Sequence, residues 1–144
     1  MRVLVQRSLD SSVTVDSKVV GKIDNGLVVF VGFTEGDNKE KTEYLVQKVL
    51  KLRVFDDENG VMNKSILDVG GSILSISQFT LYGDASKGNR PSYIRALKGE
   101  EATKLYDLFN EELSKYIPVE KGVFGAEMEI TFTNLGPTTI ILER

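Results

Sequence analysis

The stretch Ser75-Ile76-Ser77-Gln78-Phe79-Thr80 gathers three hydroxyls and a carboxamide in a 144-residue chain that contains no histidine and no cysteine. Without an imidazole or a thiolate, a Ser-His-Asp triad and a cysteine nucleophile are both excluded. Structural zinc sites, which need Cys or His ligands, and disulfide frameworks are excluded with them. A hydrolase built from this set must work with backbone donors, hydroxyls, carboxylates, bound water or groups of its own substrate. Read as a strand, the stretch puts Leu74 and Ile76 on one face with the polar Gln78 next. Ser75 and Ser77 then share the other face with Ile73, Phe79 and Leu81. Packing accounts for the pattern as an edge strand with satisfied polar groups. Chemistry accounts for it as a strand end that presents amides and hydroxyls to a ligand.

Three other stretches carry residue types with a chemical use. Gly122-Val123-Phe124-Gly125-Ala126-Glu127-Met128 sets an aromatic ring and a thioether four residues apart. The pair is either core or a flat apolar slot for a planar base. Gly136-Pro137 reads by itself as a turn. Residues 84–98 hold Lys87, Arg90, Arg95 and Lys98 against the single acid Asp84, which is a solvated loop or a local anion contact. The acidic Asp56-Asp57-Glu58-Asn59-Gly60 lacks calcium-loop ligand spacing and reads as a plain turn.

The elements that must position these residues follow from hydrophobic period. Arg2 to Arg7, Val13 to Asp16 and Val19 to Ile23 read as short strands separated by turns. Asn25-Gly26 is a tight-turn signal, followed by the apolar run Leu27 to Phe33, a strand buried on both faces. Asp37 and Glu40 have capping-box spacing, and Tyr44, Leu45, Val49 and Leu52 recur at helical spacing, so a helix is expected over about residues 38–52. Arg53 to Phe55 and Ser72 to Tyr82 read as strands, with a polar loop from Gly83 to Ser92. A second helix is expected from Gly99, with Ala102, Leu105, Phe109 and Leu113 on one face and Pro118 closing it. Met128 to Phe132 and Thr138 to Leu142 read as a hairpin-like pair around Asn134-Leu135-Gly136-Pro137. Strands with two interspersed helices make a mixed α/β domain, and the length predicts a single one over residues 1–144.

Composition narrows the function classes. Hydrophobic residues make up 41% and charged residues 27%, the balance of an ordinary globular protein. The net charge of −3 argues against holding nucleic acid, DNA above all, by bulk electrostatics. The first residues run straight into a strand pattern without an apolar leader, and no apolar run approaches the ~20 residues that span a bilayer. A cytoplasmic protein that makes no use of a membrane is expected.

Ser77-Gln78-Phe79-Thr80-Leu81 and Gly136-Pro137-Thr138-Thr139 resemble the two signature motifs of the D-aminoacyl-tRNA deacylases. The resemblance extends to Val5-Gln6-Arg7, Met62-Asn63, Asp68-Val69-Gly70-Gly71, Lys87-Gly88-Asn89-Arg90-Pro91-Ser92 and Phe124-Gly125-Ala126. Each motif alone is weak, but their order along essentially the whole chain is specific. Two positions depart from the pattern: Thr138 stands where valine is commoner, and Leu135 where aspartate is. Both leave the Gly-Pro pair intact.

The resemblance implies a layered β/β/α arrangement, a barrel-like mixed sheet with two main helices, working as a homodimer. It implies hydrolysis of the ester joining a D-amino acid, or glycine, to the 3′-terminal adenosine of tRNA, with no metal or other cofactor. Gly136-Pro137, cis and followed by Thr138, would reach into the partner subunit's pocket as the chirality filter. Arg7 would orient the Gly-Pro carbonyls. Phe124 and Met128 would line the adenine slot, and Ser77, Gln78, Phe79 and Thr80 would flank the scissile ester. The backbone amides of Phe79 and Thr80 would form an oxyanion hole. With no histidine, and no lysine assigned as base, the Thr80 hydroxyl is poorly activated. A mechanism assisted by the ribose 2′-OH therefore fits this composition better than attack by Thr80. Lys87, Arg90 and Arg95 are the candidate tRNA phosphate contacts. The competing expectations are a noncatalytic RNA- or nucleotide-binding dimeric module and a purely structural dimer.

Overall fold

The structure, a computed structural model, describes residues 1–144. Three long strands dominate it. Strand β1 (Arg2–Val15) turns at Asp16-Ser17 into β2 (Lys18–Gly32), and β7 (Glu129–Glu143) lies on the far side of β1. Asp16 and Ser17 both have positive φ, 48° and 63°. Two such residues are what a tight hairpin needs to match strand twist. The three short strands expected before residue 33 are thus one continuous hairpin, with Leu9 paired to Asn25 and Ser8 to Gly26.

The turn expected at Asn25-Gly26 does not form. Gly26 sits inside β2, hydrogen-bonded between β1 and the parallel strand β5 (Ser72–Ser77). Its φ is 144°, and a Cβ there would stand 1.8 Å from the Ser72 carbonyl oxygen. The glycine marks a close backbone approach between strands. Likewise, residues 129–143 are one edge strand paired antiparallel to β1, not a hairpin. At Asn25-Gly26 local turn chemistry was outweighed by pairing with neighbouring strands on both sides, while β7 resumes its pairing with β1 after residues 135–138.

The parallel β2–β5 pair requires a crossover, which runs through helix α1 (Lys39–Lys51), the small hairpin β3 (Phe55–Asp56) and β4 (Met62–Lys64), and the short helix α2 (Ile66–Val69). Helix α1 is capped by Asn38, whose side chain accepts from the Lys41 amide. Asp37, the residue expected to cap, is instead buried. It accepts from the Met1 ammonium at 2.7 Å and from the Thr34 amide at 2.8 Å. Helix α3 (Gly99–Ser114) and β6 (Val119–Lys121) complete the fold, giving the sheet order β6-β5-β2-β1-β7. Strand β5 is therefore interior, flanked by β2 and β6, and not at an edge.

The sheet has a core on each face. Val3, Val5, Leu27, Val29, Val31 and Ile73 meet α1 and α3 through Leu45, Val49, Phe109 and Leu113. Val13, Ile23, Val28, Leu74 and Ile76 form a second cluster, with Met128, Ile130 and Phe132 packed on it. Leu27 and Ile23 have the same parity along β2 but enter different cores, and so do Val5 and Val13 along β1. The long strands exchange faces within their length, near Gly26 and near Asp10, whose φ is 48°. That exchange lets the same strands contribute to both clusters. No helix is long and apolar enough to cross a membrane.

Candidate active site

Strand β5 ends at Ser77, and the chain then breaks from the sheet into a single 3-10 turn, Phe79–Tyr82. The strand expected to run to Tyr82 stops here because Gln78 leaves extended geometry, with φ −145° and ψ 87°. Its amide still donates to Val31 O at 2.7 Å, so the break is held against the end of β2. Gly32 makes this possible, since a Cβ there would lie 2.9 Å from the Gln78 carbonyl oxygen. The amides of Phe79 and Thr80 open the 3-10 turn and donate to no acceptor in the chain.

A cleft of about 430 Å³ opens beside this break. Ser77, Gln78 and Phe79 form one wall, and Phe124 and Met128, 45 or more residues later, form another. Phe124 is carried by a turn in which the Ala126 amide donates to Val123 O and Gly125 takes φ 77°. That turn is tied to β5 where the Gly122 amide donates to Ser75 O at 3.0 Å. A Cβ on Gly122 would fall 2.5 Å from the Met128 sulfur, so this glycine makes room for the thioether. Behind the wall the Tyr106 ring lies 5.8 Å from that of Phe124, and its hydroxyl donates to Ser75 O at 2.8 Å.

Sequence reasoning missed the third wall. Leu97, Lys98, Gly99 and Ala102, at the start of α3, close the cleft opposite Gln78. Ala102 reads as core in a helical period, and only its small size beside Gly99 hints at a cleft. The Lys98 ammonium stands 5.2 Å from the centroid of the Phe79 ring, and Phe79 is itself 45% exposed at the mouth. Thr80 lies outside the cleft lining. Its hydroxyl accepts a hydrogen bond from the Gln78 side-chain amide, a group with no basicity at neutral pH.

Gly136, Pro137, Thr138 and Arg7 are elsewhere, on the β1–β7 edge. Gln6 pairs with Thr139 and Ser8 with Asn134, so residues 135–138 stand opposite Arg7 alone and are expelled from the strand. The Gly136-Pro137 bond is cis. Asn134 ties the feet of this projection by donating to Arg7 O and Thr138 O, each at 3.1 Å. Arg7 donates from Nε to Leu135 O at 3.2 Å, one residue before the Gly-Pro pair, and from its guanidinium to Val54 O and Asp56. Among the four expelled carbonyls, only that of Gly136 receives no side-chain donor: Arg7 serves Leu135, Thr139 serves Pro137 and Asn134 serves Thr138. Lys87, Arg90 and Arg95 are all exposed. Arg95 lies with its guanidinium carbon 5.8 Å from the Tyr82 ring centroid, and Arg90 borders a groove it shares with Lys98.

Residues 4–143 match the family described as D-Tyr-tRNA(Tyr) deacylase. The chain belongs to this family. It is 55% identical over 144 residues to a D-aminoacyl-tRNA deacylase of Anoxybacillus flavithermus, with 99% of each chain covered. It is 53% identical over 144 residues to one of Bacillus cytotoxicus, again with 99% of each covered. Among solved structures it resembles one described as c-Myc DNA Unwinding Element Binding Protein, with TM-score 0.94, 40% identity and 100% and 99% of the two chains covered. It also shares its fold with one described as a probable eukaryotic D-amino acid tRNA deacylase, with TM-score 0.83, 19% identity and coverage of 98% and 97%. Ser77-Gln78-Phe79 and Gly136-Pro137 thus lie at two separate places on this chain, one in the cleft and one on the projecting edge.

Proposed function

We propose that the protein hydrolyses the ester of D-aminoacyl-tRNA, and of glycine carried on tRNA, releasing free amino acid and tRNA. The observation that carries this is the cleft itself. Ser77, Gln78 and Phe79 line it together with Phe124 and Met128, which form an apolar slot, and the amides of Phe79 and of the next residue, Thr80, have no acceptor in the chain. The terminal adenine enters the slot, which brings the ester carbonyl oxygen to the free amides. Water adds to the carbonyl carbon, the developing oxyanion takes the two N–H donors, and the bond to O3′ breaks as that oxygen takes the proton the attacking water gives up. One such donor contributes about 10²–10³ in rate. The neighbouring ribose 2′-OH orients the water, which suits a site whose only nearby hydroxyl partner is a carboxamide.

Chiral selection requires a second copy of the chain, because the Gly136-Pro137 projection lies apart from the cleft that its own chain forms. In a homodimer the projection enters the partner's cleft. The Gly136 carbonyl, free of side-chain donors, accepts from the substrate's α-ammonium. A D side chain points outward, an L side chain meets the wall, and glycine passes because it has no side chain. A noncatalytic nucleic-acid-binding reading draws on the DNA-related description of the 40% identical structure. The net charge of −3 weighs against it.

The test is ester loss from D-Tyr-tRNA and L-Tyr-tRNA incubated with the protein. Rapid loss of the D ester with the L ester spared is expected. Binding without D-selective hydrolysis would favour the binding module and overturn the enzymatic reading.

A further inference from the structure

Beside the cleft, and sharing Lys98 with it, lies a second groove of about 460 Å³ bordered by Arg90, Pro91, Ser92, Tyr93 and Ile94. Ile94 is 91% exposed, the most exposed large apolar residue in the molecule. It does not sit on a loose loop. The Ala96 amide donates to Tyr93 O at 3.0 Å, which places Ile94 and Arg95 at the corner of a β-turn. On one side the Asp84 and Ser92 backbones exchange hydrogen bonds at 2.8 Å. On the other, the Leu97 amide donates to Phe33 O and Thr34 Oγ1 to Arg95 O. A rigid turn therefore holds an aliphatic side chain in water next to the cleft mouth.

The surface is continuous with the cleft. Tyr93 meets Phe79 edge-on at 5.1 Å between ring centroids, and the Lys98 ammonium stands over the Phe79 ring. Two exposed cations, Arg90 and Lys98, border the groove, and no acidic residue does. Apolar and aromatic surface flanked by cations is what single-stranded nucleic acid recognises, with bases stacking and phosphates pairing.

We propose that this groove is the subsite for the nucleotide preceding the terminal adenosine. Lys98 takes the phosphate that joins the two nucleotides as the chain leaves the cleft. The penultimate base lies on Tyr93 and Ile94, and Arg90 takes the next phosphate. This rests on the deacylase reading above and extends it from the terminal adenosine to the RNA that carries it.

The experiment compares two substrates of the wild-type and variant proteins, D-Tyr-tRNA and D-tyrosyl-adenosine, the latter lacking every nucleotide but the last. Ile94→Ser is expected to lower kcat/KM on the tRNA ester about tenfold, through lost apolar contact between this side chain and the base, and to leave the nucleoside ester at the wild-type rate. Lys98→Ala is expected to lose more on tRNA than on the nucleoside ester. It should also flatten the plot of log kcat/KM against log salt by about 0.7, the share of one single-strand phosphate contact. Equal losses on both esters, or no loss on tRNA, would overturn the subsite. A wild-type protein inert on both esters would instead refute the hydrolytic reading on which the subsite depends.

Discussion

Gln78 and Thr80 show how a polar pair can be recognised in a sequence while its geometry is not. The run of hydroxyls and amide after Ile76 is visible as a break in strand alternation. What cannot be seen is that Gln78 turns its side chain onto Thr80, or that the amides of Phe79 and Thr80 are left without acceptors. A hydroxyl held by a carboxamide has no partner to take its proton, so it makes a poor nucleophile. Thr80→Ala is therefore expected to keep kcat within about fivefold of wild type, measured in single turnover on D-Tyr-tRNA. A loss of about 10²–10⁴, the range of a missing general base or nucleophile, would reinstate Thr80 attack. Lys98 was legible only as one charge in a basic stretch. Its place over Phe79 depends on where α3 starts relative to the end of β5, which no local pattern encodes.

At the level of elements, apolar period served well and turn signals served badly. The helical spacing of Leu45 and Val49 and of Ala102, Phe109 and Leu113 was realised in α1 and α3, while Leu52 stands just past the end of α1 in extended geometry. Asn25-Gly26 and Asn134 to Pro137 read as turns because Gly, Pro and Asn favour them. In the fold these residues serve other ends: Gly26 lets β5 approach β2, and the Gly136-Pro137 stretch is expelled from a strand that continues on either side. Gly26→Ala is the direct check. A Cβ there would overlap the backbone of Ser72, which cannot rotate away, so destabilisation of more than about 4 kcal/mol is expected in urea unfolding. A true turn glycine facing solvent would lose far less. The helix cap carries the same lesson, since Asn38 and not Asp37 caps α1, the aspartate having been drawn into a buried ion pair.

Over the whole molecule, two buried tyrosines tie stability to high pH. Burial pushes the Tyr82 hydroxyl up to about 12 from 10.0, despite Arg2 and Arg95 beside its ring. Burial likewise raises Tyr106 above its ordinary value, against the hydrogen bond to Ser75. The folded state thus holds these protons where the unfolded chain has released them. Their contribution is full below pH 10 and is lost as pH climbs toward about 12. The urea midpoint is expected to fall across that window, with two of the five tyrosines resisting ionisation in absorbance titration. A flat midpoint from pH 10 to 12 would contradict it. By itself the sequence determined the mixed α/β class, both long helices, the buried β2 run and the absence of imidazole and thiol chemistry. These follow from residue type and period, which are local quantities. The tertiary structure alone decided which strands continue through their glycines, that β5 is interior, that α3 supplies the third wall of the cleft, and that the two motifs lie apart. Each of those depends on pairing and packing between residues distant in the chain, whose energies outweigh the preference of any short segment.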